Sequence, residues 1–193
     1  MNYVLFLRGI NLGKQNKVNM IILKKQLSDL GFLNVVSYLN TGNILFETDK
    51  QEKEIESLIS ELFRTSYSFD IPFVIISSNN LLKDFEKLPN WWWNKNSYRR
   101  DALFYLRDIN RKIITEIVEN QWDEQENNYF LGETALFMIS NTKEEYQLSA
   151  HSKKIMNSPF NKLVTLRNSY TFDSVIKLLN ERLSKWVLKI SIE

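Results

Sequence analysis

A chain of 193 residues with 44% hydrophobic side chains is long enough to fill one large core or two small ones. Charged residues make up 25% and nearly cancel to a formal net charge of +2, so the broad one-signed field of a general nucleic-acid binder is missing and any basic site must be local. The lack of cysteine excludes a disulfide framework, thiolate zinc sites and cysteine nucleophiles, and no apolar run reaches signal-peptide or bilayer length. A cytoplasmic protein with no membrane partner, no metal and no cofactor is the expectation.

Tyr3 to Leu7 is an apolar run stopped by Arg8-Gly9, which suits a buried strand. After a loop, Met20, Leu23, Leu27 and Leu30 recur at helical spacing, and Gly31 supplies the left-handed residue that ends a helix. Val35 to Leu39 and Ile44 to Phe46 flank Asn40-Thr41-Gly42-Asn43, whose glycine and asparagines tolerate the positive φ of a hairpin turn. Asp49 with Glu52 reads as a capping pair for a second helix striped by Ile55, Leu58, Ile59, Leu62 and Phe63, and a strand from Phe73 to Ile76 follows. That order is βαββαβ, the split βαβ arrangement of ferredoxin-like folds.

A short helix carrying Leu81, Leu82, Phe85 and Leu88 leads into Pro89 and the aperiodic segment Asn90 to Asn96, with Trp91, Trp92 and Trp93 read as packing between two subdomains. The order then repeats: a strand from Ala102 to Leu106, a helix through Ile113, Ile114, Ile117 and Val118, and strands Tyr129 to Leu131 and Ala135 to Ile139 around Gly132-Glu133. A further helix is expected near Ser152, a strand over Leu163 to Leu166, and a final helix with Val175, Ile176, Leu179, Leu183 and Trp186 on one face. The expected fold is therefore α+β: two tandem ferredoxin-like βαββαβ subdomains with antiparallel sheets, plus a C-terminal helix. The boundaries are 1–78, a helix and Trp-rich linker at 79–100, and 101–193. Several strands are apolar throughout and do not alternate, so both faces of these sheets should be covered.

In a βαββαβ unit the first two strands run the same way, so Arg8, Asn11, Lys14, Asn16, Lys17, Asn40 and Asn43 should gather at one sheet edge around a helix N-terminus. There the free N–H groups favour an anion. In the second unit the same geometry brings Ser152, Lys153 and Lys154 toward Thr165, Arg167 and Asn168. Lysines in a first helical turn oppose its dipole at about 0.3–1 kcal/mol each, a conflict that a bound anion removes.

The segments Arg8-Gly9-Ile10-Asn11, Asn16-Lys17-Val18 with Met20, and Gly42-Asn43 with Phe46 closely resemble the bacterial family called domain of unknown function 1697. The C-terminal half resembles it through Ser152-Lys153, Thr165-Leu166-Arg167-Asn168 and Lys177-Leu178. The resemblance implies a two-part α+β architecture over nearly the whole chain and implies no activity. Gly13-Lys14 stands in place of the family's double glycine, Thr41 in place of a serine, Lys154 in place of a leucine, and Ser169 in place of an aromatic.

Turn chemistry alone accounts for the glycines and asparagines of the first cluster, but not for the missing carboxylates. Gly9 to Gln15 is one residue short of phosphate-loop spacing and has no Ser or Thr after the lysine, which excludes an ATPase reading. Ser152-Lys153 reads equally well as a helix cap beside an exposed lysine, and as a nucleophile pair it is weak because adjacent helical residues point about a hundred degrees apart. His151 is the lone histidine and reads as an ordinary surface or capping residue; Glu119, Asp123, Glu124 and Glu126 read as a solvated acidic run.

Two functional classes remain. The first is a site for an anionic or phosphorylated small molecule, built from Arg8, Asn11, Lys14, Lys17, Asn43, Ser152, Lys153, Arg167 and Asn168, with both clusters facing one cleft and with no nucleophile or base assigned. The alternative is a nucleic-acid or protein binding module, since Phe6 and Phe46 on strands one and three echo the base-stacking aromatics of RNA-recognition domains.

Overall fold

The structure, a computed structural model, describes residues 1–106, 116, 129–148 and 159–190. The expected helix through Ile113 to Val118, the acidic run from Glu119 to Glu126 and the helix start near His151 and Ser152 lie outside the described residues. The chain divides into two units, Met1–Asn79 with Ser174–Glu193, and Asn80–Asp173. The strands are β1 (Asn2–Leu7), β2 (Leu33–Tyr38), β3 (Asn43–Glu47), β4 (Phe73–Ser77), β5 (Arg99–Tyr105), β6 (Tyr129–Leu131), β7 (Ala135–Ser140) and β8 (Val164–Asn168). The helices are α1 (Met20–Asp29), α2 (Glu52–Ser66), α3 (Ser78–Glu86), α4 (Lys143–Leu148), α5 (Pro159–Lys162) and α6 (Ser169–Ile190), with a 3-10 turn over Asn90–Trp93.

Each unit holds one four-stranded antiparallel sheet, ordered β2-β3-β1-β4 and β6-β7-β5-β8. These are the same order, the two α+β halves anticipated from the sequence. In the first, Asn43 is the register partner of both Phe6 and Tyr38, so the ends of β1 and β2 meet the start of β3. The Asn19 side chain caps α1 by accepting from Ile21 N at 2.9 Å and Ile22 N at 3.3 Å. The helix stops at Gly31, φ +87°, where Gly31 N donates to Ser28 O and Phe32 N to Leu27 O, the paired bonds of a Schellman end. Leu23 and Leu27 of α1 and Ile55, Ile59 and Phe63 of α2 pack on one face of this sheet. Val4, Phe6 and Leu45, which point to the other face, are fully buried too. Burial on both sides is why these strands are uniformly apolar.

Three local expectations change. Asp49 does not cap α2: the helix starts at Glu52 behind Gln51, whose side chain makes no capping bond, and the Asp49 carboxylate lies 3.8 Å from the N-terminal ammonium. Glu52 and Glu54 favour the helix dipole from the first turn. The hairpin spans Leu39 to Gly42, with positive φ at Leu39 (+57°) and Gly42 (+80°), while Asn43 belongs to β3. Finally, α3 from Asn80 onward and the tryptophan turn group with the second unit. Trp92 is fully buried there among Phe137 and Phe172, both edge-on at 5.4 and 5.6 Å, so it builds a core of that unit.

On the opposite face of the second sheet, Leu103, Leu136, Met138, Phe160 and Val164 form a separate apolar cluster. Helix α6 starts in the second unit and belongs to the first from Ser174 onward. Its Val175, Ile176 and Leu179 are buried, the Arg182 guanidinium donates to Asn34 O of β2, and the Trp186 side chain lies outside the described ones. Among the described residues no helix is long and apolar enough to cross a membrane.

Candidate functional site

Where β1 ends, the chain is held from two sides: Leu7 N donates to Gly42 O of the hairpin, and Arg8 N donates to Pro72 O ahead of β4, each at 2.8 Å. Arg8 is half-buried, and burial holds its guanidinium below the usual arginine pKa. The loop that follows is unusual in backbone. Gly9 (+72°), Asn11 (+54°), Gly13 (+56°) and Asn16 (+50°) all have left-handed φ, which is free for the two glycines and costs the two asparagines, which carry a Cβ, up to about 1 kcal/mol each.

Side-chain hydrogen bonds hold that path. The Asn11 amide accepts from Val18 N at 2.9 Å and donates to Val18 O at 2.9 Å and to Asn40 O at 2.7 Å, tying the loop to the segment that enters α1 and to the hairpin. Asn11 N donates to Asn16 O at 2.9 Å, and Asn16 Nδ2 returns a bond to Gly9 O at 3.0 Å. Lys17 Nζ donates to Gly13 O at 2.6 Å and, as an ammonium, carries two further donors. Lys14 is exposed. Asn43 is fully buried and donates to Tyr38 O at 2.9 Å and Thr41 Oγ1 at 3.1 Å. Gly42 beside it admits no side chain, since a Cβ there would sit 2.5 Å from Leu7 Cβ.

Arg8, Asn11, Lys17 and Asn43 are thus drawn together in one strand-end cluster, but in different capacities. Asn11 and Asn43 are committed to shaping loop and hairpin, while the charge resides on Arg8, Lys14 and Lys17. No Asp or Glu precedes Asp29 in the chain. Beside this loop, Lys17, Asn19, Ile22 and Gln26 line a groove of about 370 Å³ against Tyr67 and Phe69. A second hollow of about 450 Å³, lined in part by Arg64, Asp70 and Pro72, lies across the Tyr67 to Phe69 segment. The Arg64 guanidinium is engaged by Glu61 at 2.6 Å.

In the second unit Arg167 lies on β8 opposite Ala102 and is 7% exposed. Its Nη1 donates to Thr165 Oγ1 at 3.0 Å and Leu166 O at 2.7 Å, and burial pulls its pKa down to about 10. Asn168 is exposed and its Oδ1 accepts from Thr171 N at 2.9 Å, which makes it the N-cap of α6. Ser152 and Lys153, expected beside these residues, lie outside the described residues.

The sequence reading passed over Asp84. Buried to 1% exposure, its carboxylate accepts from Glu133 N at 2.8 Å, Thr134 N at 2.7 Å and Thr134 Oγ1 at 2.6 Å, pinning α3 to the β6–β7 turn. A signal existed: position 84 is three after Leu81 and four before Leu88, on the apolar face of its helix. The Tyr67 and Phe69 wall was passed over as well, because only the fold brings it to Lys17. Among the described residues no group of His, Asp and Glu is placed to hold a metal ion.

No curated protein matches the chain. Among solved structures, the conserved bacterial protein SP0830 from Streptococcus pneumoniae is 30% identical with a TM-score of 0.83, and the alignment covers 92% of this chain and 98% of that one. Residues 1–137 match the family described as protein of unknown function (DUF1697). With most of its length matched and its fold shared with a bacterial relative, the chain belongs to the DUF1697 family.

Proposed function

We propose that the first unit binds a small anionic molecule, a phosphorylated metabolite being the best fit, at the loop from Arg8 to Val18. One observation carries the reading. A partly desolvated guanidinium and two lysines sit on or beside a loop whose asparagines are spent on holding four left-handed residues, with no carboxylate along that stretch of chain. A left-handed backbone at the two non-glycine residues, Asn11 and Asn16, persists where the surroundings over-determine it, and backbone of that kind clusters at ligand clamps. Asn11 and Asn43 serve the site by shaping it; Arg8, Lys14 and Lys17 supply the charge. Arg167 and Asn168, with Ser152 and Lys153, are assigned to the same ligand class from the second unit and are tested separately. Binding is the function assigned, and no nucleophile or base is assigned with it.

The RNA-platform alternative requires aromatic rings exposed on β1 and β3. Phe6 and Phe46 are fully buried, and Phe46 stacks on Phe32 at 4.6 Å, which favours the small-molecule reading.

The test is a thermal-shift series with inorganic phosphate, sugar phosphates, nucleotides and short RNA on the wild type and on Arg8→Ala, Lys17→Ala and Arg167→Ala. A ligand at a hundred times its Kd stabilises the folded state by about 2.7 kcal/mol, a shift of several degrees. The expected result is a shift with phosphorylated small molecules that Arg8→Ala and Lys17→Ala each reduce. Stabilisation by RNA alone, or by none of these compounds, overturns the proposal.

A further inference from the structure

The groove beside α1 has one charged residue, Lys17, among those that line it, and its walls are otherwise apolar or neutral. On the helix side stands Ile22, 55% exposed, with Ile21 next to it at 75%. Scattered exposed isoleucines need no explanation, but two at the first turn of a helix, one of them lining a concavity that a cation also lines, are a different matter. On the far side the Tyr67 and Phe69 rings meet at 5.9 Å and 62°, and Tyr67 Oη donates to Gln26 Oε1 at 3.1 Å, which fixes the ring against α1. Burial raises the Tyr67 pKa, so this hydroxyl stays a neutral donor at physiological pH. The volume, about 370 Å³, lies at the lower end of the range for small-molecule sites.

We infer that this groove holds the body of the anionic ligand, and that the body is a flat aromatic or apolar group carrying one anionic substituent, an aryl phosphate being the simplest example. The inference rests on the anion-binding reading above and adds the class of compound. Charge complementarity sets the orientation: the single anionic group lies toward Lys17 and the loop, and the ring lies between Ile22 and the Tyr67–Phe69 wall. A ligand with charge at both ends fits poorly, because beyond Lys17 the lining side chains offer it only serine hydroxyls, two amides and a phenol. A half-buried phenyl ring is worth about tenfold in affinity.

The deciding experiment is calorimetric titration of inorganic phosphate and of phenyl phosphate into the full chain, repeated on Ile22→Ser and Phe69→Ala. Ile22→Ser changes an exposed position and keeps the fold testable if Phe69→Ala does not fold. The expected result is that phenyl phosphate binds the wild type about tenfold tighter than phosphate, and that either variant removes most of the difference while leaving phosphate binding in place. Equal binding of the two compounds overturns this inference and leaves the anion site standing. An aryl advantage that survives Ile22→Ser places the ring elsewhere and also overturns it. Binding of neither compound overturns this inference, and the anion reading falls with it when sugar phosphates and nucleotides give no thermal shift either; self-association that buries Ile21 and Ile22 in a second copy replaces the ligand as the groove's occupant and overturns this inference too.

Discussion

Asp84 and Gly132 form a pair whose energetics the structure specifies closely. Replacing Asp84 by Ala leaves two backbone N–H groups and one hydroxyl without their acceptor. Each costs about 1–3 kcal/mol when it stays buried, but Glu133 is exposed and Thr134 half-exposed, so water recovers part of the loss. The expected cost is about 3 kcal/mol. Gly132 is constrained by the same carboxylate, because a Cβ there would lie 2.6 Å from Asp84 Oδ2 and 2.8 Å from Cγ. The carboxylate cannot swing aside without breaking its three bonds, so Gly132→Ala should cost about 2 kcal/mol by overpacking. In the Asp84→Ala background that clash is gone, and Gly132→Ala should cost well under 1 kcal/mol. Urea denaturation followed by circular dichroism and tryptophan emission, run as a double-mutant cycle, measures the coupling. Asp84→Ala costing less than about 0.5 kcal/mol, or Gly132→Ala costing the same in both backgrounds, would refute the reasoning.

Gly42→Ala combines a left-handed φ of +80° with a Cβ 2.5 Å from Leu7 Cβ, and should lose about 2–4 kcal/mol in the same denaturation assay. Asn11→Gly keeps the left-handed backbone and loses the amide's three bonds, whereas Asn11→Ala loses both; Ala should be less stable than Gly by about 1 kcal/mol, and both should weaken phosphate binding. Burial holds the Asp173 carboxyl above the usual aspartate range, with the Trp92 hydrogen bond and Arg100 pulling the other way. A folded pKa above the unfolded one means that the folded chain binds more protons just above the ordinary aspartate value, so stability falls as pH rises through that window. Asp173→Asn keeps an oxygen for the Trp92 Nε1–H at 3.3 Å and should be the more stable protein at pH 7, with its advantage gone below about pH 4. Equal stability curves at pH 3 and pH 7 for both proteins would contradict this.

Much of the architecture was legible because it is encoded within a dozen residues. Leu23 and Leu27 mark the inner face of α1, Gly31 ends it, and the unbroken apolar runs of β1 and β7 announce burial on both faces. These signals follow from helical and strand periodicity and from the backbone freedom of one residue type, so neither tertiary partners nor long-range contacts are needed to read them. Asn11 and Asn43 were placed at the right sheet edge by the same topology, but their duties were not readable. An asparagine that binds a ligand and one that clamps a loop are identical in a sequence, and only the positions of Val18 O, Asn40 O and Tyr38 O separate the two.

The segment from Asn80 to Tyr98 shows the other side of the matter. Its composition reads as a linker, since three tryptophans, three asparagines from Asn90 onward and a proline have no period. Its place in the second unit depends on partners far along the chain: Asp84 bonds at separations of 49 and 50 residues, and Trp92 reaches Asp173 across 81. The groove facing Lys17 likewise exists only once α2 has been laid beside α1. Local pattern decides which residues turn inward because that preference is a property of the residue and its near neighbours. Which residue then meets which is decided by closing loops of many tens of residues, a choice made by the packing of the whole unit that no short stretch of chain records.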